Sequence, residues 1–352
     1  MSAVFAGEPD SDIRAILDSA QRGELGAAIA AVKTYVAAMP NDVNGYLAYS
    51  QLLTRAYQHD QSAAAMQRAV SAAGGPEAFK KAIDRKVVLI VSNCHGKVLY
   101  ASFHPMAQFA ERFLFIGYYN VAINAIPKEI LALADVMILQ QTSWNDATRK
   151  QFEESLRPGV EVIRFPAATM LSLWPYYVQA PSKRDESGRA IYRYAYGDRF
   201  IDSRVRDGWK PEAILEAYQD LDLPSEVQLE RVIEAESRKE FAKEANSDIK
   251  IRGYIEENFR RFPMFHTPNH PSRRVMNVQA VQVAERLQVP IALDQLSSEE
   301  YPETSSTEHP IHPRLVDYLR LGYRGAFDTF RMSRSVPLTF EQFVPLYIAG
   351  KI

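Results

Sequence analysis

One short segment of the chain combines an amide, a thiol, an imidazole and a glycine where a strand is predicted to meet a helix. The segment is Asn93-Cys94-His95-Gly96, and Cys94 is the only cysteine of the 352 residues. The positive end of a helix dipole favours a thiolate, so a cysteine there can have a lowered pKa and act as a nucleophile. Gly96 permits a close backbone approach, and Asn93 could donate its amide to an oxyanion. The alternative is a small buried side chain.

A pair of adjacent glutamine side chains follows an apolar run that is predicted to be a second strand. Their amides predict polar contacts at the edge of the sheet where the segment around Cys94 also lies. Gln140 and Gln141 close a predicted strand, and the polar stretch continues to Asn145. Unpaired amides are costly in a core, so we expect these side chains to bind a ligand. Capping of the next helix by Thr142 or Ser143 is a compatible alternative.

A proline-stiffened turn carries two further histidines. His266, Asn269 and His270 lie in it, and Pro271 suits the first turn of a following helix. A rigid loop with this composition can present a general base and its orienting partners. Metal ligation is the weaker alternative, because no third and fourth ligands stand at a recognisable spacing, and we predict no metal.

Several cations and a serine are candidates for holding a phosphate-bearing cofactor. Arg273 and Arg274 follow the histidine turn, Lys97 follows the cysteine segment, and Ser92 precedes it. Arginine and lysine bind phosphate readily, although a solvated helix face is an equal interpretation of the arginine pair. No dinucleotide fingerprint, P-loop or nucleophile elbow occurs, which disfavours a Rossmann dehydrogenase, a P-loop NTPase and an α/β-hydrolase.

The elements that must position these residues alternate between strands and helices. This alternation predicts a doubly wound, mainly parallel α/β sheet of the SGNH or Rossmann-like kind, with added helices. In such a sheet, ligands bind at the carboxyl ends of the strands. A polar stretch late in the chain reads as a surface loop and candidate lid. The predicted strands are residues 86–93, 112–117, 134–140 and 160–165, and the predicted loop is residues 295–312.

Residues 1–75 are Ala-rich with helical periodicity, and they are predicted to form a cap on an α/β domain of residues 85–352. The stretch from Gly23 to Tyr46 resembles a tetratricopeptide repeat, but two repeats are too few for a free-standing solenoid. Scaffolding or a contact within a homo-oligomer is the favoured role, and recognition of a protein partner is the alternative.

Composition excludes several classes of protein. Hydrophobic residues make up 47% and charged residues 24%, which is typical of a globular chain. The net charge of −2 argues against nucleic-acid binding. A single cysteine cannot form an internal disulfide, and neither a signal peptide nor a membrane span is recognisable. We therefore expect a cytoplasmic protein.

Taken together, these motifs resemble the WcbI-like family of capsular polysaccharide biosynthesis proteins. The resemblance rests on Asn93-Cys94-His95-Gly96 after a strand, on the paired glutamines, and on the histidine turn ahead of a helix, over about residues 85–288. It implies an acetyltransferase that binds coenzyme A or acetyl-CoA and modifies a capsule sugar. It also implies that Cys94 and His95 are the catalytic pair.

The layout is also similar to that of SGNH hydrolases, with Cys94 near the place of their serine. Thr267 stands where those enzymes carry their aspartate, so the sequence shows no acidic partner for a histidine. Two chemistries stay open: acyl transfer through Cys94, and direct attack of a hydroxyl activated by a histidine. We expect His266 or His270 to approach Cys94. The rival functions are an esterase and a non-catalytic protein that binds a sugar or nucleotide-sugar.

Overall fold

The computed structural model describes residues 10–56, 58–104, 106–119, 126–141, 146–179, 183–184, 190–191, 194–296, 304–325, 328–332 and 335–351. The chain divides into two compact units. Unit 1 comprises the described residues within Met1–Ala167, Ser247–Ile249 and Asn277–Pro302, and unit 2 those within Ala168–Asn246, Lys250–Met276 and Glu303–Ile352.

Unit 1 begins with five helices, as the N-terminal periodicity predicts. Side-chain caps start two of them: Asp10 accepts from the backbone N–H of Asp12, and Asp42 accepts from those of Asn44 and Gly45. The helices are α1 (Ser11–Gln21), α2 (Leu25–Ala38), α3 (Val43–Arg55), α4 (His59–Ala72) and α5 (Pro76–Ile83).

A parallel sheet with the strand order β2-β1-β3-β4 follows in the same unit. Its strands are β1 (Lys86–Ser92), β2 (Phe113–Tyr119), β3 (Val136–Gln141) and β4 (Glu161–Pro166). Every residue of β1 except Lys86 is buried, as expected for a strand covered on both faces. The order reverses beside β1, so the carboxyl ends of β1 and β3 form the topological switch point where open α/β sheets bind ligands. The predicted fold class is confirmed.

The N-terminal helices share one core with this sheet. Leu47, Met66 and Phe79 from α3, α4 and α5 belong to the same buried cluster as Leu89 of β1 and Leu139 of β3. These helices therefore pack on the sheet within unit 1, while the division into a cap of residues 1–75 and a domain of residues 85–352, and the likeness to a tetratricopeptide repeat, stay predictions. The helices that connect the strands are α6 (Cys94–Phe103), α7 (Ala107–Ala110), α8 (Lys128–Leu131) and α9 (Asp146–Glu154).

The remaining elements are mostly helices and two-stranded ribbons. The strands are β5 (Tyr177–Gln179), β6 (Lys183–Arg184), β7 (Ala190–Ile191), β8 (Tyr196–Asp198), β9 (Phe265–Thr267), β10 (His270–Pro271), β11 (Phe330–Met332) and β12 (Ser335–Leu338). The helices are α10 (Arg199–Arg206), α11 (Pro211–Asp220), α12 (Leu223–Glu226), α13 (Leu229–Ala245), α14 (Arg252–Asn258), α15 (Arg273–Arg286), α16 (Pro313–Leu319) and α17 (Phe340–Ile348), with a 3-10 helix at Leu293–Leu296.

Two sequence interpretations need correction. Pro271 lies in β10, and the following helix begins only at Arg273. In the predicted surface loop, the described residues 304–312 include the buried side chains of His309 and His312, so this part is not a solvated loop. None of the helices in the described ranges combines the length and apolar character that crossing a membrane requires.

Candidate active site

Asn93 ends β1 and starts α6 through its side chain. Its Oδ1 accepts the backbone N–H of His95 at 3.0 Å, which is the geometry of an N-cap. The helix therefore begins at Cys94. The cap places the thiol in the first turn of α6, at the switch point of the sheet.

Gln140 joins the carboxyl ends of β1 and β3. The backbone N–H of Asn93 donates to its Oε1 at 2.8 Å, and its Nε2 lies 2.9 Å from Nδ1 of His95. Because the backbone donor fixes which end of the amide is oxygen, Nε2 must donate to Nδ1. Gln140 is 1% exposed. Its amide positions Asn93 and His95, and this differs from the substrate contact that the sequence suggested.

His95 is fully buried, at 0% exposure. Its Nδ1 accepts from Gln140, so the neutral ring carries its proton on Nε2. A ring with no exposed surface cannot itself take a proton from a substrate hydroxyl. A catalytic role of His95 beside Cys94 stays a prediction, and in this structure Nδ1 of the ring is held by Gln140.

Gly96 lies against the end of β1 with no room for a side chain. A Cβ built on it would lie 1.8 Å from Oγ of Ser92 and 2.9 Å from Cγ2 of Ile90. Ser92 is itself buried, and its hydroxyl donates to the carbonyl of Asn93 at 2.9 Å. Gly96 therefore serves close packing of helix on strand, and Ser92, a predicted cofactor contact, is engaged within the protein.

Cys94 is partly exposed, and its Sγ lies 3.9 Å from Oδ1 of Asn93. Burial raises the pKa of the thiol, and the charge of Lys97 and the backbone N–H groups of Cys94 and His95 offset only part of that rise. The expectation of a lowered pKa was wrong, because the loss of hydration outweighs the helix N-terminus. The thiol is therefore protonated at neutral pH.

This protonation state has a measurable consequence. The rate at which iodoacetamide alkylates Cys94 should rise about tenfold per pH unit through neutral pH and reach its plateau only at a higher pH than for an unburied cysteine, because only the thiolate reacts. The measurement is the rate of mass gain in the intact protein. Since the chain has one cysteine, Cys94→Ser gives the blank. A plateau already reached at pH 7 would contradict the raised pKa.

Three other residues were predicted near this edge of the sheet, and the structure describes two of them, Gln141 and Lys97. Gln141 ends β3 in register with Pro166 and is partly exposed, so it can still contact a ligand. Lys97 is partly exposed, and its charge acts on Cys94. Asn145 lies outside the described residues, and its role stays a prediction.

In unit 2, the predicted histidine turn is a β-hairpin. Strands β9 and β10 pair antiparallel, with His270 opposite Thr267. Nδ1 of His270 lies 2.9 Å from the hydroxyl of Tyr196 and 2.8 Å from that of Thr267. Burial and the neighbouring His266 lower the pKa of His270 to about 4, so this ring is neutral at physiological pH. That either histidine approaches Cys94 stays a prediction.

His266 has an acidic neighbour that the sequence did not reveal. Its Nδ1 lies 3.8 Å from Oε1 of Glu308 and 3.3 Å from a guanidinium nitrogen of Arg331. The first separation exceeds a hydrogen bond, so Glu308 acts on the ring through its charge. Burial alone would raise the pKa of Glu308. Its contact with His266, the backbone N–H of Arg331 and two arginine charges together lower it to about 2.

Glu308 is an acidic neighbour of His266, whereas the sequence offers only Thr267 at the position where SGNH hydrolases carry an aspartate. A carboxylate beside an imidazole stabilises the imidazolium that forms when the ring takes a proton. No sequence signal pointed to this residue, because 42 positions separate it from His266 and no motif surrounds it. The hairpin therefore presents a histidine with an acidic neighbour, but its Nδ1 accepts from Arg331 in this structure, so the neutral ring carries its proton on Nε2.

Two further polar residues of unit 2, Asp198 and His309, lie in no motif that the sequence revealed, and both are buried in the structure. Nδ1 of His309 lies 2.7 Å from the hydroxyl of Tyr194, and burial lowers the pKa of this histidine to about 3. Asp198 caps α10 and accepts the hydroxyl of Tyr218 at 2.6 Å. Burial raises the pKa of Asp198 to about 6.

The remaining predicted contacts of unit 2 lie at or near its surface. Asn269 is exposed, and its amide donates to the hydroxyl of Tyr177 at 3.3 Å. Arg274 is exposed, with its guanidinium 4.1 Å from the ring centre of Phe262, while Arg273 is partly buried. Within the described ranges, no group of three or more His, Cys, Asp or Glu side chains is arranged to hold a metal ion.

Comparisons with known proteins assign the family. Residues 87–291, more than half of the chain, match the family described as polysaccharide biosynthesis enzyme WcbI. A solved structure of WcbI, described as native protein without a disulfide bond between coenzyme A and a cysteine, has a TM-score of 0.62. It is 14% identical, and the match covers 76% of this chain and 90% of that one, which shows a shared fold. No curated protein matches the chain. The chain therefore belongs to the WcbI family of polysaccharide biosynthesis enzymes.

Proposed function

We propose that this protein is a coenzyme-A-dependent acyltransferase that esterifies a sugar hydroxyl in polysaccharide biosynthesis. The observation that carries the proposal is the position of Cys94, a partly exposed thiol that opens a helix at the switch point of the sheet. The description of the WcbI structure names coenzyme A and a cysteine as the partners of a disulfide bond that is absent there. A thioester donor is the coenzyme form that such a site would use.

The residues around Cys94 fit a thioester donor. The first turn of α6 supplies backbone N–H groups and the positive end of a helix dipole, which favour an oxyanion or another negatively charged group. Lys97 adds a positive charge beside the thiol. Arg273 and Arg274 remain candidates for the phosphates of the coenzyme. Gln141 and Asn269 remain candidates for contacts to the sugar.

Direct transfer is the chemistry that the thiol favours. For this step the ring of His266 must change tautomer, with Nδ1 releasing Arg331 and donating to Glu308. Nε2 then takes the proton of the sugar hydroxyl, and the oxygen attacks the thioester carbonyl carbon. The carbon–sulfur bond breaks, the coenzyme leaves as a thiol that receives the proton, and the sugar becomes an ester. A protonated Cys94 is a poor nucleophile, so an acyl-cysteine is not required.

The decisive experiment combines binding with turnover. A thermal-shift titration with coenzyme A should raise the melting temperature of the protein, because the ligand binds the native state. Acetyl-CoA should then be consumed faster when a glycan acceptor is present. Consumption independent of the acceptor would favour an esterase. No shift at millimolar coenzyme A, together with no turnover, would favour a non-catalytic sugar-binding protein.

A serine in place of Cys94 distinguishes direct transfer from transfer through the thiol. We expect Cys94→Ser to keep acetyl transfer within about tenfold of the native rate, because a nucleophile that participates covalently would cost orders of magnitude more. Mass spectrometry of the native protein with acetyl-CoA should show no acetyl adduct. An adduct on Cys94, with loss of transfer in the serine variant, would establish the covalent route instead.

A further inference from the structure

Backbone hydrogen bonds in unit 2 join three segments around the ring of His266. The backbone N–H of His309 donates to the carbonyl of His266 at 2.7 Å, and that of Glu308 donates to the carbonyl of Arg331 at 2.9 Å. The backbone N–H of Arg331 donates in turn to Oε2 of Glu308 at 2.9 Å. These bonds hold an imidazole, a carboxylate and a guanidinium side by side.

The position of the Glu308 carboxylate does not depend on the side chain of Arg331. Its Oε1 lies 3.1 Å from a guanidinium nitrogen of Arg324, whose side chain is only 15% exposed, and its Oε2 is held by the backbone. The side chain of Arg331 is 48% exposed, with Nε 3.6 Å from Oε2. The Arg331 guanidinium can therefore move into solvent while Glu308 stays beside His266.

The contact between Arg331 and His266 opposes the proposed proton transfer. A guanidinium nitrogen donates to Nδ1 at 3.3 Å, which leaves the proton of the neutral ring on Nε2, the nitrogen that must act as the acceptor. A neighbouring cation also disfavours the imidazolium that the base becomes. Oε1 of Glu308 lies 3.8 Å from the same Nδ1, about 1 Å longer than a usual hydrogen bond. Removal of the arginine contact would let Nδ1 donate to Glu308 and leave Nε2 as a base.

An anion is the chemical group that can draw Arg331 away. Guanidinium groups bind phosphate and carboxylate bidentately, and such charge-assisted bonds are about twice as strong as bonds between neutral groups. Arg324 already lies between two carboxylates, 3.1 Å from Glu308 and 4.0 Å from Asp328. Arg331 is more exposed and farther from Glu308, so its charge is the less neutralised of the two.

We infer that Arg331 binds an anionic group of the substrate, and that this binding switches His266 to the tautomer that acts as a base. The inference rests on the proposed function. Arg331 and Glu308 are then positioning residues that act through His266. The pyrophosphate of coenzyme A and that of a nucleotide-sugar acceptor share the required chemistry. A substrate that carries this charge thereby activates the base that it needs.

Nitrogen NMR of the protein labelled with nitrogen-15 histidine reports the tautomer without any turnover. His266 should carry its proton on Nε2 in the unliganded protein, and on Nδ1 when inorganic pyrophosphate is added. His266→Asn identifies the signal by removing it. Arg331→Met should carry the proton on Nδ1 without a ligand, because no donor competes for that nitrogen. An unchanged tautomer in Arg331→Met would overturn the inference.

Two further titrations identify which substrate supplies the anion. Coenzyme A should change the tautomer at a lower concentration than inorganic pyrophosphate if the donor carries the group, and UDP-glucose should do so if the acceptor carries it. Pantetheine and glucose, which lack phosphate, should leave the proton on Nε2. If pyrophosphate, coenzyme A and UDP-glucose all leave the tautomer unchanged at millimolar concentration, Arg331 does not have this role.

Kinetics with a phosphate-free donor separate the switch from a structural role. With S-acetylpantetheine and a neutral glycan, Arg331→Met should transfer acetyl groups about tenfold faster than the native protein, because its base needs no anion. Pyrophosphate should accelerate this reaction in the native protein but not in the variant. Arg206→Met, which removes an exposed arginine from the last turn of α10, is the control and should behave as the native protein does.

The same variant should act in the opposite direction on the anionic substrate. Its KM for the substrate that the titrations identify should rise about 10- to 100-fold, the size expected for a lost charge-assisted hydrogen bond. An arginine that only supports the fold would instead lower the rate with every donor. A slower reaction of Arg331→Met with S-acetylpantetheine would therefore overturn the inference.

The proposed function and this inference can fail separately. If the protein neither binds coenzyme A nor transfers acetyl groups, but pyrophosphate changes the tautomer of His266 in the native protein, the function fails and the anion-dependent switch stands. If Arg331→Met transfers from acetyl-CoA as the native protein does and the tautomer is unchanged, the function stands and the inference fails.

Discussion

Replacing His266 by asparagine should lower kcat/KM for acetyl transfer by about 10²–10⁴-fold, the usual contribution of a general base. The oxygen of asparagine can still accept from Arg331, as Nδ1 of the histidine does at 3.3 Å. The hairpin of β9 and β10 should therefore keep its shape, while the group that takes a proton is lost. The measurement is steady-state transfer from acetyl-CoA to a glycan acceptor.

A second variant in the same pair tests the acidic neighbour. Glu308→Gln should give a smaller loss than His266→Asn, and should move the acid limb of the pH profile to lower pH. Both effects follow because the carboxylate that stabilises the imidazolium is gone. His312→Asn is the matched control, since His312 is a buried histidine that caps α16 and asparagine is a good cap. Native activity in His266→Asn would remove this residue from the mechanism.

Replacing Gly96 by alanine should cost both stability and activity. The new Cβ would lie 1.8 Å from Oγ of Ser92, so α6 must shift away from β1 and carry Cys94 with it. Overpacking of this kind costs about 1–3 kcal/mol of unfolding free energy. Denaturant unfolding followed by circular dichroism measures the loss, and acetyl transfer by the folded fraction measures the displacement of the thiol.

Two companion variants show whether the steric argument is correct. Gly26→Ala, an exposed position of α2 with nothing within 4 Å of the new Cβ, should stabilise the protein slightly, because alanine favours a helix over glycine. Ser92→Gly in the Gly96→Ala background should recover part of the loss, since it removes the closest atoms. If Gly96→Ala matches Gly26→Ala in stability, the close approach of α6 to β1 is not as described.

The sequence was sufficient to predict the sheet and the place of the thiol, because both depend on local patterns. The apolar run of β1 predicts a buried strand, and the helical stretch after it places Cys94 where the two meet. The cap by Asn93 was not predicted, since its side chain was expected to face an oxyanion. Gln140 was correctly placed at the neighbouring strand end, since parallel strands end at the same edge. The contacts of Gln140 with Asn93 and His95 could not be predicted from the sequence.

The residues that the sequence did not identify act over long separations or through burial. Glu308 reaches His266 only because the fold brings distant segments of unit 2 together. The family resemblance implied a catalytic His95, but the sequence could not show that this ring is buried, because successive residues on a helix point in different directions. The pKa of Cys94 likewise depends on burial, which a local pattern does not report.

The link from Asn93 to Gln140 bears on how the newly made chain matures. The two residues are 47 positions apart, so at about 5–20 residues per second the ribosome needs roughly 2–9 seconds to deliver the second after the first. Until β3 pairs with β1, Asn93 lacks its hydrogen bond to Gln140. During that interval the thiol of Cys94 is not yet buried, and its pKa is not yet raised. Oxidants therefore encounter a more accessible sulfur on the nascent polypeptide than on the finished enzyme.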